Sequence, residues 1–409
     1  MTAYADRGRE LGGWATGFAR RWWLVALVVL LGFFYPEYVD TLHDLPSIGE
    51  FFPGVDSMVV MLVFTMMAVG LNIVVGYAGL LDLGYVAFYA AGAYTAAWFA
   101  SLQFEQWTFH LGSVGVNPEF PGIHVSLWLV LLIAGAFTAL IGILIGLPTL
   151  RLRGDYLAIV TLGFGEIIPQ FVRNGDSIFG FDLTHGTFGI SPIDSPGFGE
   201  TINEWTGLPI TYQQVTNRAQ WFYWTILALL LFTVFCSVRL RDSRLGRAWI
   251  AIREDETAAA AMGVPLMRTK TWSYAIGAFF GGIAGAYYAS FKSGAFPADF
   301  YFNISIFLLC MVILGGMGSV WGVILGGMIL GWLNVEGLAT IGTKAGLEDV
   351  PKYQFGIYGL IIVLMMLFRP TGLISERRHK REMELGVADT PLYDVTTEGT
   401  LTDRDQTND

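Results

Sequence analysis

Ten apolar runs recur along the chain, at roughly 22–36, 57–76, 84–101, 125–149, 155–172, 220–238, 271–291, 304–316, 319–334 and 353–368. A helix of about 20 apolar residues crosses the hydrocarbon core of a bilayer. Inside lipid only helices or closed barrels satisfy their own backbone. The runs therefore predict an all-α polytopic membrane protein with eight to ten transmembrane helices. Two leave the count open. The run 155–172 carries Asp155 and Glu166. The stretch 304–334 is interrupted by Gly315, Gly316, Met317 and Gly318, and reads as two short spans, a re-entrant pair or one bent helix.

Composition agrees. Hydrophobic residues make up 54% of the 409 positions and charged residues only 14%, with a mean hydropathy of +0.53. Soluble chains carry about 25% charged residues. The 50 glycines suit close helix contacts in lipid. The two cysteines, Cys236 and Cys310, lie in apolar runs without C-x-x-C spacing and read as buried thiols. Arg20 and Arg21 precede the first run as in a signal peptide, but it ends in Phe34-Tyr35-Pro36-Glu37 without a cleavage pattern, so a retained first helix is expected.

Lysine and arginine orient the chain. With ten spans and an inner N-terminus, inner segments hold nineteen of the 24 basic residues, outer segments only Arg173, Arg218, Lys292, Lys344 and Lys352. Both termini are thus expected in the cytoplasm. The expected organisation is a cytoplasmic segment 1–21, a permease-like domain 22–375 containing a long outer loop 173–219 and a cytoplasmic loop 239–270, and an acidic, disordered cytoplasmic tail 376–409. A loop as long as 173–219 usually has a function; contact with an external partner and passive cover of the helices are both open.

Several chemistries have no sequence support. There is no G-x-x-x-x-G-K-[ST] and no H-E-x-x-H, and the five histidines are scattered. No catalytic residues, metal, cofactor or nucleic-acid partner is expected. No ladder of intramembrane carboxylates suggests a proton pump.

The inner loop is unusual. Arg253-Glu254-Asp255-Glu256 precedes Thr257, four alanines and Met262, then Gly263 and Pro265. Acids at the start, alanines within and glycine at the end predict a helix of two to three turns around 254–263. An ordinary surface helix would look the same; a docking helix would use the flat alanine face. Within the spans, ionisable and polar residues default to function. Asp82, Tyr85, Thr161 and Glu166 are the candidates for a substrate path, with structural roles as the alternative: Glu166 bonding a neighbouring helix, Asp82 at an interface. Gly277, Gly281 and Gly285 read as a packing stripe, and Gly315, Gly316 and Gly318 as packing or a hinge.

The segment Glu256, Ala258, Ala259, Gly263 resembles the cytoplasmic E-A-A-x3-G motif of ATP-driven importer permeases, with Thr257 interrupting it. Gly76–Gly84 (GYAGLLDLG), Arg151–Ile168 (RLRGDYLAIVTLGFGEII), Leu245–Trp249, Arg253–Glu256, Leu314–Ser319 and Arg369–Leu373 resemble, in order, the LivM-type permeases of branched-chain amino acid importers. The likeness spans about 58–375. Thr184–Ile190 (THGTFGI) departs from the family's glycine-, proline- and asparagine-containing stretch. The resemblance implies an importer permease in the plasma (inner) membrane. Its expected partners are a second homologous permease, two cytoplasmic ATP-binding subunits and an extracytoplasmic solute-binding protein. It also implies that Glu254, Asp255, Glu256, Ala258, Ala259 and Gly263 contact the ATPase, and that transport is of branched-chain amino acids. Related permeases for urea, short amides or other small polar solutes share the architecture. A secondary transporter or channel is the rival of another class.

Overall fold

A computed structural model describes residues 27–44, 49–105, 108–111, 122–152, 154–177, 180–198, 203–205, 207–212, 215, 217–346 and 349–374. The expected cytoplasmic segment 1–21 and tail 376–409 lie outside the described residues.

Each of the ten apolar runs carries a helix. They are α1 (27–43), α2 (Val55–Asn72), α3 (Val86–Phe99), α4 (Leu127–Thr149), α5 (Asp155–Arg173), α6 (Arg218–Asp242), α9 (Leu266–Lys292), α10 (Phe302–Gly315), α11 (Val320–Trp332) and α13 (Gln354–Phe368). Short helices α7 (Arg244–Glu254) and α8 (Glu256–Ala261) lie between α6 and α9, and α12 (Leu338–Ala345) follows α11. Seven helical stretches among the described residues are long and apolar enough to cross a bilayer: Gly49–Tyr77, Leu127–Thr149, Asp155–Arg173, Arg218–Asp242, Pro297–Gly315, Val320–Lys344 and Val350–Phe368. The loop boundaries shift a little from expectation, because α6 continues to Asp242 and α9 starts at Leu266.

The stretch 304–334 is two antiparallel helices, not one bent one. Gly316 (φ +113°) and Gly318 (φ +89°) turn the chain through backbone angles closed to other residues. The two helices then meet backbone to backbone: a Cβ on Gly315 would sit 2.3 Å from Gly322 O, and one on Gly326 2.5 Å from Met311 O.

Helices α2 and α9 form the centre. A Cβ on Gly277 would meet Val74 Cγ2, in the turn that continues α2, at 2.5 Å, and one on Gly285 would meet Tyr89 O of α3 at 2.0 Å. Gly281 faces the Tyr85 ring, and Gly282 faces Thr138 of α4. Small residues let these backbones approach where lipid supplies no hydrophobic drive to association.

Two features break the regular pattern. Helices α2 and α11 each continue through a π-helical turn, Ile73–Tyr77 and Leu333–Gly337. The end opposite α7 and α8 carries a small three-stranded sheet in the order β1-β3-β2, with β1 Ala100–Ser101, β2 Phe109–Leu111 and β3 Ile123–Val125. The described part of the long segment after α5 is laid onto this end. Trp98 Nε1 donates to Leu183 O (2.7 Å), Gln103 Nε2 to Asp182 O (2.9 Å) and Trp128 Nε1 to Gly197 O (2.9 Å), and His124 Nδ1 lies 2.7 Å from Asp194 Oδ2. The cover is therefore anchored, while Phe181, Phe188 and Trp205 stay exposed.

Candidate functional site

The inner loop folds as two helices, correcting the single helix expected around 254–263. Ser243 caps α7, its Oγ accepting from Gly246 N (3.2 Å). Trp249 and Ile252 are buried, and Trp249 Nε1 donates to Thr269 O (2.8 Å), which fixes α7 against α9. At Asp255 the backbone turns extended (φ −153°, ψ 109°) and its carboxylate caps a new helix, accepting from Thr257 N (2.7 Å) and Ala258 N (3.0 Å). The six-residue α8 then ends on Gly263 (φ +85°), with Gly263 N bonded to Ala260 O and Val264 N to Ala259 O. This paired closure needs a left-handed residue.

The sides of α8 differ. Ala259 is buried against the bundle, so it supports the helix and takes no part in an outward face. Glu256 points inward to an ion pair with Lys270 Nζ at 2.8 Å, where Lys270 is buried. Thr257, Ala258, Ala260, Ala261, Met262 and Gly263 are exposed, Met262 by 85%, and so are Glu254 and Asp255. The short helix presents small side chains and one bare methionine, rimmed by acids.

Beneath it lies a joint where α2 ends. A π-helical turn misaligns the backbone and is often found at functional sites. Arg253 Nη1 donates to Gly76 O at 2.5 Å, inside that turn. The stem of Arg253 lies over Gly79 (φ +68°), where a Cβ would come within 2.8 Å of Arg253 Cγ. A cavity of about 110 Å³ separates Gly79 and Leu81 from Gly154, Leu157, Glu256 and Lys270.

The unwound segment after the turn is held from several sides. Asn72 Oδ1 accepts from Gly318 N (2.9 Å), tying it to the α10–α11 turn. Leu83 N donates to Thr161 Oγ1 of α5 (3.0 Å), and Val86 N to Ser305 Oγ of α10 (2.9 Å). Asp82 is fully buried; its Oδ1 accepts from Gly84 N (2.8 Å), and the Tyr274 hydroxyl faces its carboxylate. Tyr85 OH donates to Gly277 O (2.8 Å).

The structure thus brings Asp82, Tyr85 and Thr161 together, enclosed in this joint. Glu166 stands apart. It is exposed on α5, on a face shared with Tyr156, Ile159, Ile167 and Gln170. Arg253, Asn72, Tyr274, Lys270 and Ser305 were not singled out from sequence as joint residues. Asn72 carried a signal, being a lone amide in an otherwise apolar run. The glycines are packed as described: Gly277, Gly281 and Gly285 against α2 and α3, Gly315 against Gly322, and Gly316 beneath residues 371–374.

A many-span helical bundle whose exposed short helix is tied to an unwound core segment has the build of a membrane transport subunit. The comparisons make this specific. Residues 55–366 match the family described as branched-chain amino acid transport system / permease component, and the chain belongs to that family. It is 36% identical over 347 residues to the high-affinity branched-chain amino acid transport system permease protein LivM of Escherichia coli K12, covering 82% of this chain and 73% of that protein. It is 27% identical to a probable branched-chain amino acid transport permease protein LivM of Methanocaldococcus jannaschii, covering 61% of this chain and 69% of that protein. It is 23% identical to the permease protein LivH of Salmonella typhimurium, covering 76% of this chain and 91% of that protein. No solved structure matches the chain. The chain is a multi-pass protein of the inner membrane.

Proposed function

We propose that the chain is the permease subunit of an ATP-driven importer, moves branched-chain amino acids, and takes its energy from ATPase subunits that dock on α8. The observation that carries this reading is the pairing of an exposed α8 with the Arg253–Gly76 contact. A push on α8 reaches the core through the adjoining end of α7, where Arg253 holds Gly76.

The excess of basic residues supports a cytoplasmic position for α7 and α8, and for both termini, under the positive-inside rule. Rigid movement of α7–α8 displaces Gly76, the start of the segment to Tyr85, through Arg253, and pulls on α9 through Glu256–Lys270 and Trp249–Thr269. Leu83–Thr161 passes that displacement to α5. Two arrangements of such packed elements give alternating access. In this account Asp82, Tyr85 and Thr161 serve the joint, and Glu166 serves the path.

An exposed glutamate in a spanning helix is costly in lipid. Its face on α5 is better suited to a water-filled seam against a second permease. The relatives include both LivM and LivH, which supports a homologous partner. A solute-binding protein would meet the opposite end, where Phe181, Phe188 and Trp205 are bare. The chain itself catalyses nothing in this reading.

Substrate-stimulated ATP hydrolysis by the reconstituted complex tests the assignment. Leucine, isoleucine and valine should stimulate hydrolysis and accumulate inside vesicles. Stimulation by urea or a short amide instead would change the substrate; uptake without ATP would end the importer reading.

A further inference from the structure

Helices α4 and α6 face outward quite differently from α5. Their exposed large side chains include Leu132, Leu140 and Leu144 on α4 and Leu231, Phe232 and Phe235 on α6, and the exposed charged residues of α6, Arg239 and Asp242, lie at its α7 end. That surface is suited to acyl chains, not to a solvated seam. It is cleft by an apolar groove over α9. One part, of about 520 Å³, lies between Ala139, Phe235, Cys236, Ile276 and Phe279 and ends at Arg239. A second part, of about 400 Å³, shares Ile143, Trp272 and Ala275 with the first and ends at Arg268. Each is the size of a site that encloses an organic ligand.

Two guanidinium groups thus bracket Trp272 at the α7–α8 end of the groove. Arg239 lies over the Phe235 ring at 5.4 Å from its centroid. Among the described residues, neither Arg239 nor Arg268 forms an ion pair with a carboxylate. Nearby Lys270 and Arg241, by contrast, each face one. Trp272 is half exposed, as an indole at a membrane interface is.

We propose that this groove is a binding site for one anionic phospholipid, an acyl chain lying along Ala139, Cys236 and Phe279 and the phosphate held by Arg239 and Arg268. Basic pockets between spanning helices on the cytoplasmic side recognise anionic headgroups by the same charge match. Guanidinium groups suit phosphate because their fork of donors fits its oxygens. The site lies on a different face from Glu166 and involves neither α8 nor its joint, so it stands whether or not the coupling reading does.

The test is mass spectrometry of phospholipid retained by the complete complex purified in mild detergent. It compares wild type, the Arg239→Gln/Arg268→Gln pair and Ala139→Trp, which fills the groove and leaves both arginines. Wild type should retain anionic over zwitterionic phospholipid. The paired variant should lose that retention several-fold, and Ala139→Trp should lose it with the permease pair intact. No anionic retention by wild type, or unchanged retention in the paired variant, overturns the proposal. So does an Ala139→Trp variant that releases the second permease while keeping its lipid, since a protein would then cover the groove. If Ala139→Trp does not accumulate, the paired variant alone decides.

Discussion

Arg253 donates to the carbonyl oxygen of Gly76 across 177 positions of sequence, at 2.5 Å. The bond joins the exposed inner helices to the π-helical end of the most buried span. Around it, Asn72, Leu83 and Val86 reach three further helices or turns. The joint is therefore a shared anchor.

Arg253→Ala removes the side-chain hydrogen bond from α7 into the π-helical turn. We expect ATP hydrolysis and co-purification of the ATPases to persist while uptake per ATP falls on the order of tenfold, the scale of typical coupling free energies. Arg253→Lys keeps charge without the planar fork and should restore only part. The ratio of solute accumulated to ATP consumed in vesicles measures this.

The Glu256–Lys270 pair predicts unequal costs for its two deletions. Lys270 is buried, whereas Glu256 keeps a quarter of its side chain exposed. Glu256→Ala strands a buried cation, which costs roughly 3–5 kcal/mol in a fully buried setting and somewhat less here. Lys270→Ala leaves a carboxylate that can turn to water. Thermal unfolding in detergent should show the larger drop for Glu256→Ala; equal drops would mean that Lys270 is hydrated in solution.

Two glycine substitutions separate strain from close approach. Gly263→Ala has open space around its Cβ but needs φ +85°, so it should cost about 1–2 kcal/mol and leave the complex assembled. Gly285→Ala would place its Cβ 2.0 Å from Tyr89 O and must push α9 from α3. Membrane accumulation should survive the first and fall sharply in the second.

Glu166→Ala should lower uptake more than it lowers abundance, because its side chain is exposed and supports no described contact across the bundle. Glu166→Gln should be intermediate. Parallel losses of uptake and abundance would assign it to helix association.

Much of this architecture was legible in the sequence, because membrane spans are written as composition and length. All ten runs became helices, and the Gly315–Gly318 interruption became a turn. The inner loop was legible as helical, but not the break at Asp255: its caps compete with alanine-rich propensity, and the capping carboxylate won. Asp82 and Glu166 looked alike as intramembrane acids, yet one is sealed in the joint and the other exposed. Only tertiary packing separates them. The π-helical turns had no signal, since an extra residue in a helix changes register without changing composition. Arg253 was visible as a charge, but its partner is a backbone carbonyl, which no side-chain pattern reveals.

The central claim is that α8 is where ATPase movement enters. The most direct measurement is site-specific cross-linking from Met262→Cys to the ATPase subunits in membranes, read alongside ATP-driven leucine uptake by Met262→Arg. The account predicts a cross-link whose yield changes when ATP binds, and loss of uptake in Met262→Arg with the permease still inserted. A residue 262 that labels only from outside the cell, or that never meets an ATPase while Met262→Arg transports normally, contradicts it.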